Sequence, residues 1–215
     1  MDYNFVLLGL IAVTVLISFK GFNDSMFFKQ FQFHIGSIRA GEQYRMLTSG
    51  FLHADLMHLA FNMYALYSFA PVVIGYFGNL IFVVLYGLCL LCGSLLTYYF
   101  KNNNYSYAAI GASGAVTGII YAAILLEPSM SIYFFFIPIP IPAYIFGIGY
   151  LLYSIYGMKS QNDNIGHTAH FGGAIGGYIF TIAKNPEMFT NNTFMVVLLA
   201  IPIVILFVMT QQGKL

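Results

Sequence analysis

The chain has 215 residues, 60% of them apolar, and carries eight Lys plus Arg against seven Asp plus Glu, for a formal net charge of +1. A water-soluble fold of this size needs several times more charge to cover its surface, and a nucleic-acid binder needs clustered Lys and Arg, so both classes are excluded. The bilayer is the solvent to reason in. Uncharged runs cover residues 3–19, 56–100, 102–126, 128–158, 164–183 and 188–213, and a span of hydrocarbon takes about 20 helical residues. The second run is twice that length and holds the turn-like stretch Gly75-Tyr76-Phe77-Gly78-Asn79, where it divides. Seven helices are therefore predicted, near residues 4–19, 56–75, 79–100, 113–126, 140–157, 168–184 and 192–210. Continuous apolar runs without two-residue alternation give helices rather than barrel strands, hence an all-α polytopic membrane bundle.

The flank Met1-Asp2-Tyr3-Asn4 has no Lys or Arg and no small-residue cleavage pattern follows the first run, so a retained first helix is expected. Residues 20–55 form the one long hydrophilic connection and hold Lys20, Asp24, Lys29, Arg39, Glu42, Arg45 and Asp55. A connection that long is functional or packed by short elements of its own, and a plain solvated connector is the other reading. Cys89 and Cys92 form a C-x-x-C in the middle of the third span, where a thiol acts as a small hydrophobe beyond the reach of a redox partner. The sequons at Asn23, Asn104 and Asn191 are too short to decide anything. Ile137-Pro138-Ile139-Pro140-Ile141-Pro142 cannot be regular helix and gives a stiff, extended lead into the fifth span.

Polar groups inside a bilayer are costly, and each one needs a structural or functional reason. In the second span His58 and Asn62 are four apart and project from one helix face; helix-to-helix hydrogen bonding is the structural alternative for either alone. The fourth span opens Gly111-Ala112-Ser113-Gly114-Ala115-Val116-Thr117-Gly118. Gly114 and Gly118 are explained by close packing alone, but the 14 residues from Ser113 to Leu126 make about 21 Å of helix, less than the hydrocarbon thickness. Ser113 is thus expected below the membrane surface at a helix N-terminus, whose free N–H groups can hold developing negative charge. In the sixth span Gly173, Ala174 and Gly177 share the face of His170 and can lie almost backbone to backbone on Gly114 and Gly118. A glycine-rich helix with an incidental histidine is the bland alternative.

Spans alternate in direction, so the second, fourth and sixth enter from one side, each with its polar cluster near its entering end. His58, Asn62, Ser113 and His170 converge at similar depth: a nucleophile, a base and separate oxyanion donors. These residues resemble the rhomboid intramembrane serine proteases over residues 4–184. Three motifs match in order: His53-x4-His58-x3-Asn62, Gly111-x-Ser113-Gly114, and Ala169-His170-x2-Gly173; Tyr44-Arg45 resembles the family's Trp-Arg pair. The resemblance implies a serine endopeptidase acting on transmembrane-helix substrates, without a cofactor or metal. Ser113 is its nucleophile and His170 its base, and the Ser113 N–H, His58 and Asn62 form the oxyanion hole. His53, Gly111, Gly114, Gly173 and Arg45 are supporting. A peptidase domain over residues 1–190, with the long loop 20–55 partly in the membrane surface, is followed by an additional helix over 191–215.

Two positions depart from the family. Ile74 stands where many members have Glu, and Thr117 where several have an aromatic residue that supports the histidine ring, so looser orientation of His170 is expected; Pro71 is expected to kink or interrupt the second span. Lys and Arg at 20, 29, 39, 45, 101, 159 and 214 lie on the face of the site, with Lys184 alone opposite, which by the positive-inside rule turns the site to the cytoplasm. The resemblance, to bacterial inner-membrane proteins, implies the outer face, and that is adopted because four of those seven charges lie in the functional loop. Two other classes remain open: a rhomboid-like protein that binds membrane partners without catalysis, and a metal site or transporter built from His53, His58, His167 and His170. The second lacks any carboxylate in the spans and any H-E-x-x-H.

Overall fold

A computed structural model describes residues 4–134, 137–160 and 165–215; residues 1–3, part of the flank weighed as a leader, lie outside them. Helix α1 (Phe5–Asn23) is capped by Asn4, whose side chain accepts from Leu7 N–H at 3.0 Å and donates to Asn79 Oδ1 at 2.7 Å. It runs four residues beyond the predicted end because Lys20 suits the carbonyl end of a helix, and Asp24 then starts α2 (Ser25–Phe31) by accepting from Phe27 N–H. Only Leu7, Thr14, Ser18 and Gly21 of α1 are buried, a narrow stripe of one face. The connection 20–55 is packed by its own short elements: α2, strand β1 (Phe33–His34), α3 (Ile35–Arg39), α4 (Arg45–Thr48) and a 3-10 turn at Ser49–Phe51.

The second and third predicted spans form one element, α5 (Leu56–Lys101), broken where Gly78 adopts φ 79° and ψ 169°. The break falls inside the stretch at which the sequence divides the run, and glycine is the residue that takes this conformation without strain. Pro71 does not interrupt the helix: among the α5 residues Gly78 alone departs from helical φ and ψ, so the interruption falls seven residues on. Strand β2 (Ala108–Ala109) pairs antiparallel with β1, and α6 spans Ser113–Leu126. Every residue from Gly114 to Leu126 is buried, as a helix apolar all round requires; α6 is the centre of the bundle, packed on α5 and on α8 (His167–Lys184).

Between α6 and α7 (Ala143–Ser160) lies a hairpin of β3 (Ser131–Phe134) and β4 (Ile137–Pro142), with Ile132 opposite Ile141. The fifth span therefore starts at Ala143 rather than 140, because the three prolines hold the chain extended through Pro142. After a turn, α9 (Met188–Asn191), the chain ends in α10 (Thr193–Gln211). Three helices, Phe5–Asn23, Leu56–Lys101 and Thr193–Gln211, are long and apolar enough to cross a membrane on composition alone. In α8 the less apolar residues His167, Thr168 and His170, with five glycines and alanines, are buried among the other helices, which is where membrane proteins keep polar groups. The molecule is a multi-pass helical membrane protein.

Candidate active site

The segment before α5 is held by a buried histidine. His53, fully enclosed, receives the Ala112 N–H on Nε2 at 3.4 Å, and its Nδ1 lies 2.8 Å from Ser18 Oγ. Ser18 spends its own proton on Phe51 O at 2.9 Å, so Nδ1 carries the ring proton and His53 is the neutral imidazole. Burial, helped by the neighbouring His58, pushes its pKa down to about 3. Ser18 and His53 together thus join α1, the 3-10 turn and the residue before Ser113. Asp55 caps α5 by accepting from His58 N–H at 2.8 Å. Ala54 N–H approaches His58 Nδ1 at 3.5 Å, which leaves the proton on Nε2. Gly111 has φ 117°, and a Cβ there would stand 2.8 Å from the His58 ring. Asn62 donates one amide proton to His58 O at 2.9 Å and keeps a second for the cavity it lines.

The loop before Ser113 is stitched to the long connection. Beyond the β1–β2 pair, Ile35 N–H bonds Tyr107 O, Gly36 N–H bonds Tyr105 O, and Gly111 N–H bonds Ser49 O, all at 3.0 to 3.1 Å. The connection in turn closes around Arg45, which is buried: its Nε reaches Glu42 Oε2 at 2.5 Å, and its Nη1 bonds Lys29 O at 2.7 Å and Gln32 O at 3.0 Å, the carbonyl end of α2. Ser94 Oγ ties the same region to α5 by donating to Met46 O at 2.7 Å; Ile74, at the position where family members have Glu, makes no polar bond there.

Ser113 is the first residue of α6 and His170 lies in the first turn of α8. Their helices meet through glycine: a Cβ on Gly173 would fall on the Gly114 carbonyl, one on Gly177 on the Gly118 carbonyl, and one on Gly118 on the Cys89 sulfur. At that spacing Ser113 Oγ lies 2.9 Å from His170 Nε2. Both line a cavity of about 610 Å³ together with His58, Asn62, Phe146 and Tyr150. Ser113 stands at the N-terminus of α6, where the first N–H groups of a helix have no partner within it.

Two residues that the sequence reading did not single out complete the surroundings of His170. Tyr150 lies against the imidazole with centroids 4.8 Å apart and ring planes tilted by 33°, and its hydroxyl is 3.1 Å from Nε2; Ser154 Oγ lies 3.1 Å from Nδ1. Tyr150 supplies from α7 the aromatic support that the resemblance places at position 117, so the expected loose orientation of His170 is corrected. Thr117 instead donates to Ser113 O at 2.6 Å. The available signal was Ser154, the one serine between Ala143 and Met158, with Tyr150 four residues before it. His167 packs edge-on against His170 and Tyr153, at 5.8 and 5.5 Å between centroids. His53 and His58 lie together on the other side, and among the described residues no three His, Cys, Asp or Glu side chains converge as metal ligands.

Fold and site together define a multi-pass helical membrane protein with a serine-histidine contact in a partly enclosed cavity at the head of its central helix. The sequence profile of the Rhomboid domain matches residues 40–187, and the chain belongs to the rhomboid family. It is 30% identical over 79% of its length to RHOMBOID-like protein 12, mitochondrial, of Arabidopsis thaliana. It is 31% identical over 68% to the presenilin-associated rhomboid-like protein, mitochondrial, of Rattus norvegicus, and 32% over 68% to the rhomboid protease GluP of Bacillus subtilis. These alignments cover 55%, 39% and 27% of the relatives' own lengths, so the chain spans about half of one and less of the others.

Proposed function

We propose that this chain is an intramembrane serine endopeptidase that cleaves transmembrane-helix substrates at or just within the membrane. The observation that carries the reading is the 2.9 Å contact of Ser113 Oγ with His170 Nε2 at the N-terminus of a buried helix, beside His58 and Asn62. His170 takes the proton from Ser113 as Oγ attacks the peptide carbonyl. The oxyanion is held by the Ser113 N–H, the His58 Nε2–H and the second Asn62 amide proton. The protonated histidine then gives its proton to the departing amine, and water, activated by the same histidine, releases the acyl group. The substrate is a transmembrane segment that unwinds near its end, because a regular helix shields its peptide bonds. The basic, loop-covered face opens to the outside of a bacterial inner membrane; fractionation against the mitochondrial alternative tests this. Residues 1–190 form the peptidase unit and 191–215 an added helix.

The test is mass spectrometry of the protein in lipid after a fluorophosphonate. An adduct on Ser113, absent from Ser113→Ala and His170→Ala, supports an activated serine. A folded protein that forms no adduct overturns the reading and leaves a rhomboid-like protein that binds membrane partners.

A further inference from the structure

A histidine that is to accept a proton at Nε2 must carry its own proton on Nδ1. Free histidine favours the opposite tautomer. In enzymes with an aspartate, that residue fixes the proton on Nδ1. Ser154 occupies the corresponding place. It is fully buried on α7, its Oγ lies 3.1 Å from Nδ1, and its single proton is directed to Tyr150 O at 3.0 Å. What Ser154 offers the ring is therefore an oxygen lone pair, and that lone pair is satisfied by a proton on Nδ1. On the other nitrogen two hydroxyls approach, Ser113 at 2.9 Å and Tyr150 at 3.1 Å, and both are able to donate to an unprotonated Nε2. Tyr150, one turn before Ser154 on the same helix face, lies against the ring at a tilt of 33°.

We propose that Ser154 is a positioning residue that holds His170 in the Nδ1–H tautomer, so that the Nε2 lone pair faces Ser113. The Ser154 hydroxyl oxygen thereby fixes the proton on Nδ1, the role that a buried carboxylate has in other serine hydrolases. The base is thereby set by α7, a helix that carries none of the other reacting groups. The kinetic part of this assignment rests on the reading of the chain as a peptidase; the tautomer itself does not.

The experiment is ¹⁵N NMR of the full chain in lipid with labelled histidine, the His170 signals being those missing from His170→Ala. It is run alongside fluorophosphonate labelling rates. Wild type is expected to show Nδ1–H at His170, and Ser154→Ala to move the proton toward Nε2 and to slow labelling about tenfold, the effect of one lost hydrogen bond. Ser154→Thr, which keeps the oxygen, is expected to restore both. An Nε2–H tautomer in wild type, or one that Ser154→Ala leaves unchanged, overturns the assignment whatever the variants do to folding. If wild type forms no adduct while the tautomer still follows Ser154, the peptidase reading falls and the positioning role stands.

Discussion

The spacing of α6 and α8 sets the reacting distance, and Gly173→Ala probes it directly. A methyl group at 173 would occupy the position of the Gly114 carbonyl. Carbon and oxygen need a separation of about 3.3 Å, so the helices must part by on the order of 1 Å. His170, one turn before Gly173 on the same face, moves with the α8 backbone, while Ser113 moves with α6. A 2.9 Å contact widened by that amount is no longer a hydrogen bond, and a misplacement of about 1 Å costs roughly a hundredfold in rate. Overpacking also destabilises by about 1 to 3 kcal/mol. The assay is the rate of fluorophosphonate capture at Ser113 with the thermal midpoint of the same sample, and Gly87→Ala as control. A Cβ at Gly87 has nothing within 4 Å, and alanine favours a helix interior over glycine, so this variant should match or exceed wild type in stability and rate. Capture by Gly173→Ala at the wild-type rate would refute the argument that glycine contact sets the reacting geometry.

Asn62→Ala should slow substrate cleavage roughly a hundredfold or more, since one oxyanion donor is worth about 2.7 to 4 kcal/mol of barrier, with the melting temperature nearly unchanged; equal cleavage rates would remove Asn62 from the site. The burial of His53 predicts acid sensitivity. Its folded pKa of about 3 lies below the ordinary 6.5, so the unfolded chain takes up the proton first. The contribution is complete above pH 6.5 and is lost as pH falls from 6.5 toward 3, on the order of 5 kcal/mol in all. Melting curves from pH 7.5 to 4 should show a shallower decline for His53→Gln, which starts from a lower midpoint; parallel curves would contradict a neutral, enclosed His53. Arg45→Ala leaves the Lys29 and Gln32 carbonyls without their guanidinium, and a charge-assisted bond is worth about 1.5 to 3 kcal/mol. Limited proteolysis should cut the connection 20–55 earlier in this variant, and an unchanged digestion pattern would show that Arg45 does not hold the loop.

The contrast between what the sequence discloses and what it hides follows from the solvent. The bounds of α6, Ser113 to Leu126, are legible because Gly111 precedes the run and Glu127 ends it. The break at Gly78 is legible because turn residues stand out against an apolar background. The polar positions His58, Asn62, Ser113 and His170 are conspicuous for the same reason, and the structure brings them around one cavity. What stays hidden is which apolar face looks inward. In water a helix shows a polar and an apolar side, but in lipid both sides are apolar, and α7 gives no periodic sign that Tyr150 and Ser154 face His170. The β1–β2 pair, two residues on each strand and 75 positions apart, is too short to leave a pattern. The Ser18–His53 bond joins α1 to a loop 35 residues away and depends on the angle at which the first helix docks. Each hidden feature acts on the group beside it: β2 and His53 hold the backbone that leads to Ser113, and Ser154 and Tyr150 hold the ring of His170. The reacting groups are therefore the legible part of the site, and the residues that aim them become visible only once the helices are packed.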